Sequence, residues 1–413
     1  MLRLASALVA ITLLFGAPAS RAADDILIGA VYPMTGNSAP IGADAKAALE
    51  TIADIINGQH APIPMLMGKG GGLPALHGAK IKFIFADHQN DPEKARAEAE
   101  RLVTQDHVVA LVGSYTSATG ATISQVAERY EVPYISMDNS SPSLNQRGLK
   151  WFFRTSPTDT MFTQAMFDFF KAIGDKTGQH VKTIALIYED SIFGTDSSNV
   201  QKKMAQAAGI TVAADLRYHA GSPSLSAEAE RLKAANADVV MPSSYTNDAI
   251  LLMKGMNDIA YKPKAIMAQA AGFQEQSFLT AVGPLAEGAM SRSSFALDAV
   301  ASRPAIPAVD ALFKAKSGKD LNDNTARQVT AIEVLADAIN RAGSTDPEAL
   351  RKALIATNVP GNQLIVPWQG VKFDSTGQNT EATPVIQQIQ GGVYRTIYPF
   401  DVAAVPAKWN LGH

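Results

Sequence analysis

Cysteine is absent from this chain of 413 residues. Without a thiol there is no disulfide framework, no thiolate metal site and no lipid-modified cysteine behind a leader. An excess of positive charge is also lacking, since 36 Lys+Arg stand against 39 Asp+Glu. That balance argues against nucleic acid and acidic membrane surfaces as partners. After residue 22 no apolar run reaches the roughly 20 residues of a membrane span, so the mature chain is not expected to insert in a membrane. The histidines are scattered, with no pair at helical or hairpin ligand spacing, and neither a metal nor another cofactor is expected.

The usual chemical motifs are missing too. "MGKGGGLP" (67–74) departs from the phosphate-loop pattern, and no strand feeds it. No G-x-G-x-x-G follows the first strand; that stretch holds only Gly36 and Gly42. A nucleophile elbow needs glycine two residues either side of its serine, and Ser117 has Tyr115 and Thr119 there. An exported amidase or hydrolase is therefore the disfavoured alternative, and no enzyme activity is expected.

What is present begins with a leader. Arg3 precedes an apolar stretch from Leu4 to Phe15, and Ser20-Arg21-Ala22 fits a small-residue cleavage rule. Residues 1–22 read as a signal peptide cut after Ala22, which implies export. Removing Arg3 and Arg21 leaves 34 basic against 39 acidic side chains, a net charge of −5. Roughly 390 mature residues exceed what one core serves, so two domains are expected.

The first part alternates strand and helix signals. "ILIGAVYP" (26–33), "KIKFIFAD" (80–87), "HVVALVG" and "VPYISM" read as strands, separated by helical stretches such as 42–57. Asp91-Pro92 gives a helix cap followed by proline at the first helical position. The alternation starts again near residue 159, with strands predicted at "TIALIYED", "ITVAADLRY", "ADVVMPS" and "KAIMAQ". Short, wholly apolar strands between helices predict an α/β fold with doubly wound parallel sheets. The last third reads as three helices and then β signals at "QLIVP", "GVKFD", "PVIQQIQ" and "VYRTIYP", as if the chain returned to both lobes. Residues 57–78, rich in Gly and Pro, have neither period and read as a long surface loop.

Two polar turns stand at strand ends. "GSYTSATG" (113–120) carries Ser114, Tyr115, Thr116 and Ser117 between an apolar strand and a helix. Ligands of open α/β sheets bind at that end, where the first helical N–H groups favour a carboxylate. Ser117 there either caps the helix or donates to a ligand oxygen. "SMDNSSPS" (136–143) crowds Asp138, Asn139, Ser140 and Ser141 at the end of the next strand. In the second half, Phe193 and Tyr245 occupy similar places. A polar niche facing aromatic side chains is a way to close over a small molecule.

With these residues the chain resembles the type I periplasmic solute-binding proteins of branched-chain amino acid ABC transporters, the leucine/isoleucine/valine-binding family. The resemblance rests on the order and spacing of "IGAVYPMTGNSAPIGADAKAALE", "ADHQNDPEKARAEAERLV", "VVALVGSYTSATG", "VPYISMDNSSPSL", "FFRTSP", "YEDSIFGTDSSN", "ADVVMPSSYTNDA" and "GVKFDSTGQN". It implies two lobes joined by three hinge crossovers with the solute between them, and delivery to a membrane permease by a monomer. The boundaries it implies are 23–154 plus about 291–364 for one lobe and 155–290 plus about 365–413 for the other. By resemblance, Ser117 holds a ligand carboxylate, Ser140 contacts carboxylate and ammonium, and Asn139 offers its backbone. Tyr115, Phe193 and Tyr245 line the cleft. Two departures stand out. Amino-acid binders of the family place an ammonium-pairing acid after the strand equivalent to "KAIMAQ", where this chain has Ala270 and Ala271. Either Asp138 replaces that acid or the ligand has no α-ammonium, as with the amides, urea and aromatic acids that the family also accepts. The 57–78 loop is the other departure, longer than the family's usual link.

Overall fold

The computed structural model describes residues 25–58 and 60–412; the expected leader lies outside them. Five parallel strands form the first sheet: β1 (Ile26–Tyr32), β2 (Ile81–Asp87), β3 (Ala110–Gly113), β4 (Tyr134–Ser136) and β5 (Phe152–Arg154), in the order β2-β1-β3-β4-β5. The second sheet opens with β6 (Thr183–Glu189), β7 (Thr211–Tyr218), β8 (Val239–Ser243), β9 (Ala265–Ala268) and β10 (Met290–Ser293), in the order β7-β6-β8-β9-β10. The two orders correspond strand for strand. A short antiparallel pair follows, β11 (Asn358–Pro360) with β12 (Gly370–Lys372). The hairpin β13 (Val385–Gln390) and β14 (Val393–Tyr398) then extends the second sheet beyond β10.

Helices cover both faces of each sheet. In the first lobe these are α1 (Ala39–Asn57), α2 (Pro92–Thr104) and α3 (Ser117–Tyr130). The second lobe carries α4 (Asp159–Thr177), α5 (Ile192–Ala208), α6 (Ser226–Ala235), α7 (Thr246–Asp258) and α8 (Gln276–Val282). Back on the first lobe lie α9 (Ile306–Ser317), α10 (Asp323–Ala342) and α11 (Pro347–Ile355). Each sheet separates two apolar clusters, as expected of doubly wound layers. Asp91 caps α2 as its sequence predicts, accepting from the Glu93 and Lys94 amides with Pro92 at the first helical position.

The chain crosses between the lobes three times: through 155–158, through 294–305 and through 373–384. The first and third crossings are bound together. Arg154 pairs with Gln378 as an isolated bridge, and Asn379 Nδ2 donates to the Thr155 carbonyl at 2.9 Å. Core packing moves two expected boundaries. Met290–Ser293 pairs with the second sheet, so the second crossing comes later than residue 291. Val366, Trp368, Val371 and Phe373 are buried in the first-lobe core, although residues from 365 onward are expected in the other lobe. "QLIVP" forms no strand; it is a buried irregular stretch after a short 3-10 turn, and the strand is Asn358–Pro360 instead.

The 57–78 segment is irregular but not loose. Ile63 and Leu73 are buried in the first-lobe core, the Leu66 amide donates to the Gln363 carbonyl at 2.8 Å, and the Ala75 amide donates to Asn340 Oδ1 at 2.9 Å. It joins the end of α1 to the start of β2 and rests on the C-terminal end of α10. That is the edge opposite the carboxyl ends of the strands, where ligands of such sheets bind.

Candidate functional site

The carboxyl ends of both sheets face each other across a tight pocket with a free cavity volume of about 20 Å³ in this closed form. Its lining includes Tyr115, Ser117, Asp138 and Ser140 from the first lobe and Phe193, Tyr245 and Ala271 from the second. Six of the seven expected site residues therefore meet here. Asn139 does not line the pocket. Its Nδ2 donates to the carbonyls of Ser114 and Thr116 (2.9 and 2.7 Å), and its Oδ1 accepts from Tyr134 and Ser136 hydroxyls, each at 3.0 Å. Its backbone carbonyl accepts from Arg154 Nη1 at 3.2 Å. Asn139 thus fastens the two polar turns together from beneath. Gly120 makes this possible, because a Cβ there would stand 2.2 Å from Asn139 Oδ1.

Ser117 is the first residue of α3, and Thr116 is its cap, accepting from the Thr119 amide at 3.3 Å. The capping reading of Ser117 is therefore replaced: its side chain is left to face the pocket. The Ser117 amide meets the Tyr245 phenol oxygen across the cleft. Ser140 hydrogen-bonds through its hydroxyl to Asp159, and its carbonyl accepts from the Asp159 amide at 2.8 Å. In the second lobe the start of α5, which follows β6, is occupied by a carboxylate. Glu189 accepts from the Ser191 and Gly194 amides, both at 2.7 Å. Only the α3 end is thus offered to an anion between these two helices.

Asp138 is buried and accepts from Tyr32 at 2.8 Å and from Gln328 at 3.2 and 3.1 Å. Burial pushes its carboxyl up to about 6, against the pull of the nearby Arg327. The acid expected after β9 is absent. Ala270 and Ala271 take positive φ angles of 52° and 45°, uncommon for a residue with a Cβ. Glu275, on the next turn, bonds to Asn322 and Asn324 of the other lobe rather than lining the pocket. Burial and the neighbouring Asp44 push Glu275 up to about 8.

Three lining residues escape the sequence reading: Arg292 on β10, and Asn324 and Arg327 on α10. Both arginines pair with Asp323, at 3.0 Å each. β10 reads Met-Ser-Arg-Ser, with no apolar run to announce a strand. The signal for α10 lay in Asn322, which caps it reciprocally with Thr325, but nothing in that motif points to a ligand.

The lobes are closed. The rings of Tyr115 and Tyr245, from opposite lobes, lie 5.2 Å apart, and Ser143 Oγ donates across the cleft to Asp196 at 2.5 Å. Tyr115 and Tyr245 also border a wider outer hollow of about 280 Å³ that includes Asn37, Asn90 and Asp248. The tyrosine pair separates this vestibule from the inner pocket.

A family profile described as "Periplasmic binding protein" matches residues 25–392. The "Leu/Ile/Val-binding protein homolog 8" of Brucella abortus is 30% identical over 393 residues, covering 94% of this chain and 93% of that one. Among solved structures, the leucine-binding protein LivK of Thermotoga maritima superposes with a TM-score of 0.75 at 19% identity, covering 90% of this chain and 97% of that one. An ABC-transporter solute-binding protein of Rhodopseudomonas palustris in complex with 3,4-dihydroxybenzoic acid gives 0.74 at 18% identity, with 90% and 95% covered. Two such lobes closing on one pocket, with this profile and this relative, mean that the chain belongs to the periplasmic binding protein family, among the leucine/isoleucine/valine-binding proteins that bind solutes for ABC transporters rather than catalyse reactions.

Proposed function

We propose that this protein is the periplasmic subunit of an ABC importer that captures one amino acid or related small polar or amphipathic solute and delivers it to a membrane permease as a monomer. Ser117, Ser140 and the N-terminus of α3 hold a carboxylate or amide oxygen, and Tyr115, Phe193 and Tyr245 cover the remainder. The observation that carries this reading is an inner pocket lined from both lobes, with Tyr115 and Tyr245 touching across the cleft. A solute that binds only the closed arrangement shifts the population toward it, and the permease reads that shift. Amides, urea and aromatic acids are the alternative solutes. The 3,4-dihydroxybenzoic acid held by the Rhodopseudomonas protein favours the last of these.

The test is small-angle scattering of the purified protein with and without each solute class, beside a thermal-shift screen. A solute well above its dissociation constant should raise the melting temperature and shrink the radius of gyration. A shift in melting temperature with no compaction would contradict capture by hinge closure.

A further inference from the structure

The second half of the pocket is built around a guanidinium. Arg292 is buried at 2% exposure, holds its Cζ 3.5 Å from the Phe162 ring centroid, and lines the pocket. Its Nη1 is engaged with Asp323, but its Nε has no hydrogen-bond partner among the described residues. Leaving a buried charged donor unmet is costly, and a site that binds something there removes the cost. Asp323 cannot satisfy both arginines, because its carboxylate is shared between Arg292 and Arg327 and also accepts from Ser293 and from the amide and hydroxyl of Ser294. The other carboxylate in the lining, Asp138, is held by Tyr32 and Gln328.

Register brings this guanidinium beside Gln269, just before the place where an ammonium-pairing acid is missing. β10 runs parallel to β9 with Ser291 opposite Ala268, so Arg292 follows that pair as Gln269, Ala270 and Ala271 follow Ala268. Both Ala271 and Arg292 line the pocket. An ammonium at that end would meet a like charge with no new carboxylate to receive it. An oxygen acceptor would meet the unmet Nε of Arg292, with Arg327 and Asn324 beside it.

From this geometry we infer that Arg292 is the specificity-determining residue of the pocket and that the solute carries oxygen acceptors at both ends and an ammonium at neither, as in a small dicarboxylate or a hydroxybenzoate. The inference rests on reading the pocket as a solute site with Ser117 and Ser140 at its other end. The aromatic side chains between the two ends cover the solute's apolar middle.

The experiment is calorimetry on the purified full-length mature protein with seven probes: succinate, glutarate, 4-hydroxybenzoate, 3,4-dihydroxybenzoate, 4-methylpentanoate, L-leucine and L-glutamate. The expected result is that either the dicarboxylates or the hydroxybenzoates bind at least tenfold more tightly than L-leucine and 4-methylpentanoate, the two arms telling these sources apart. Arg292→Gln should lose that binding tenfold or more. Ala271→Asp leaves the Arg292–Asp323 pair whole, and aspartate tolerates positive φ. It should weaken the two-ended acids and improve L-leucine, which also covers the case in which Arg292→Gln does not fold. Tighter binding of L-leucine than of 4-methylpentanoate, or two-ended acids unaffected by both variants, would overturn the inference and leave the receptor reading standing. No binding by any probe would overturn both.

Discussion

Tyr115 and Tyr245 come from opposite lobes and hold their rings 5.2 Å apart, at the boundary between the inner pocket and the outer vestibule. The contact exists only when the cleft is closed. It therefore converts the position of two rigid bodies into the covering of one small space.

Removing that contact should weaken solute binding without harming either core. Tyr245 meets both Tyr115 and Phe193, and an aromatic pair contributes about 0.5–1.5 kcal/mol beyond its area. Tyr245→Ala is expected to raise the dissociation constant by roughly 5- to 100-fold by calorimetry. The melting temperature of the ligand-free protein should move little, since Tyr245 belongs to neither apolar cluster of its lobe.

The two serines should separate by what else they touch. A hydrogen bond to a charged group contributes about 1.5–3 kcal/mol, so Ser117→Ala and Ser140→Ala should each weaken binding of a carboxylate roughly tenfold or more. Ser140 also bonds to Asp159, whereas the cap of α3 is Thr116. Ser140→Ala should therefore lower stability in urea as well, and Ser117→Ala should not. Wild-type affinity in both variants would remove these residues from the site.

Asp138 should make stability depend on pH in an unusual direction. Its carboxyl is pushed up to about 6 in the folded protein, above the unfolded value near 3.9. Between these values the folded state binds more protons, so stability falls as pH rises from about 4 to 6 and is level above. The shift corresponds to about 3 kcal/mol, lost once Asp138 ionises. Tyr32, Gln328, Arg327 and Asp323 face this group, and the two formal charges there stay fixed over that range. Glu275, pushed up to about 8, adds a decline that continues to higher pH. Other buried carboxylates that burial pushes up, Asp159 and Glu333 among them, also contribute there, so in a Glu275→Gln background Asp138→Asn should make the decline between pH 4 and 6 shallower in urea titrations rather than remove it. An unchanged slope would show that Asp138 is not a source of it.

Gly120→Ala tests the fastening role of Asn139. Its Cβ would collide with Asn139 Oδ1, and the nearest atoms of that amide are all within 3.2 Å. Overpacking of this kind costs about 1–3 kcal/mol. Loss of solute affinity should accompany it, since Asn139 holds the turn that carries Asp138 and Ser140. Unaltered affinity in Gly120→Ala would mean that the two turns are placed independently of Asn139.

Much of this was legible in the sequence because the signals were local. Apolar strands such as Ala110–Gly113 and caps such as Asp91 announce themselves, and polar turns at strand ends mark where a ligand sits. Arg292 was not legible, because a buried guanidinium on a Met-Ser-Arg-Ser strand breaks the apolar pattern that identifies strands. Asn324 and Arg327 were hidden for another reason. They lie some two hundred residues from Ser117 and reach it only because the second crossing returns the chain to the first lobe. Ser117 and Thr116 could not be told apart as caps without backbone geometry, since either hydroxyl suits that place.

The matching order of the two sheets has a wider bearing. Because both lobes present only strand ends and helix starts to the pocket, the residues that choose the solute are nearly separate from those that fill the four apolar clusters. Ala271 and Ser117 stand in no cluster. A lineage could exchange them and acquire a different diet while keeping the same frame, the same hinge and the same face for its permease.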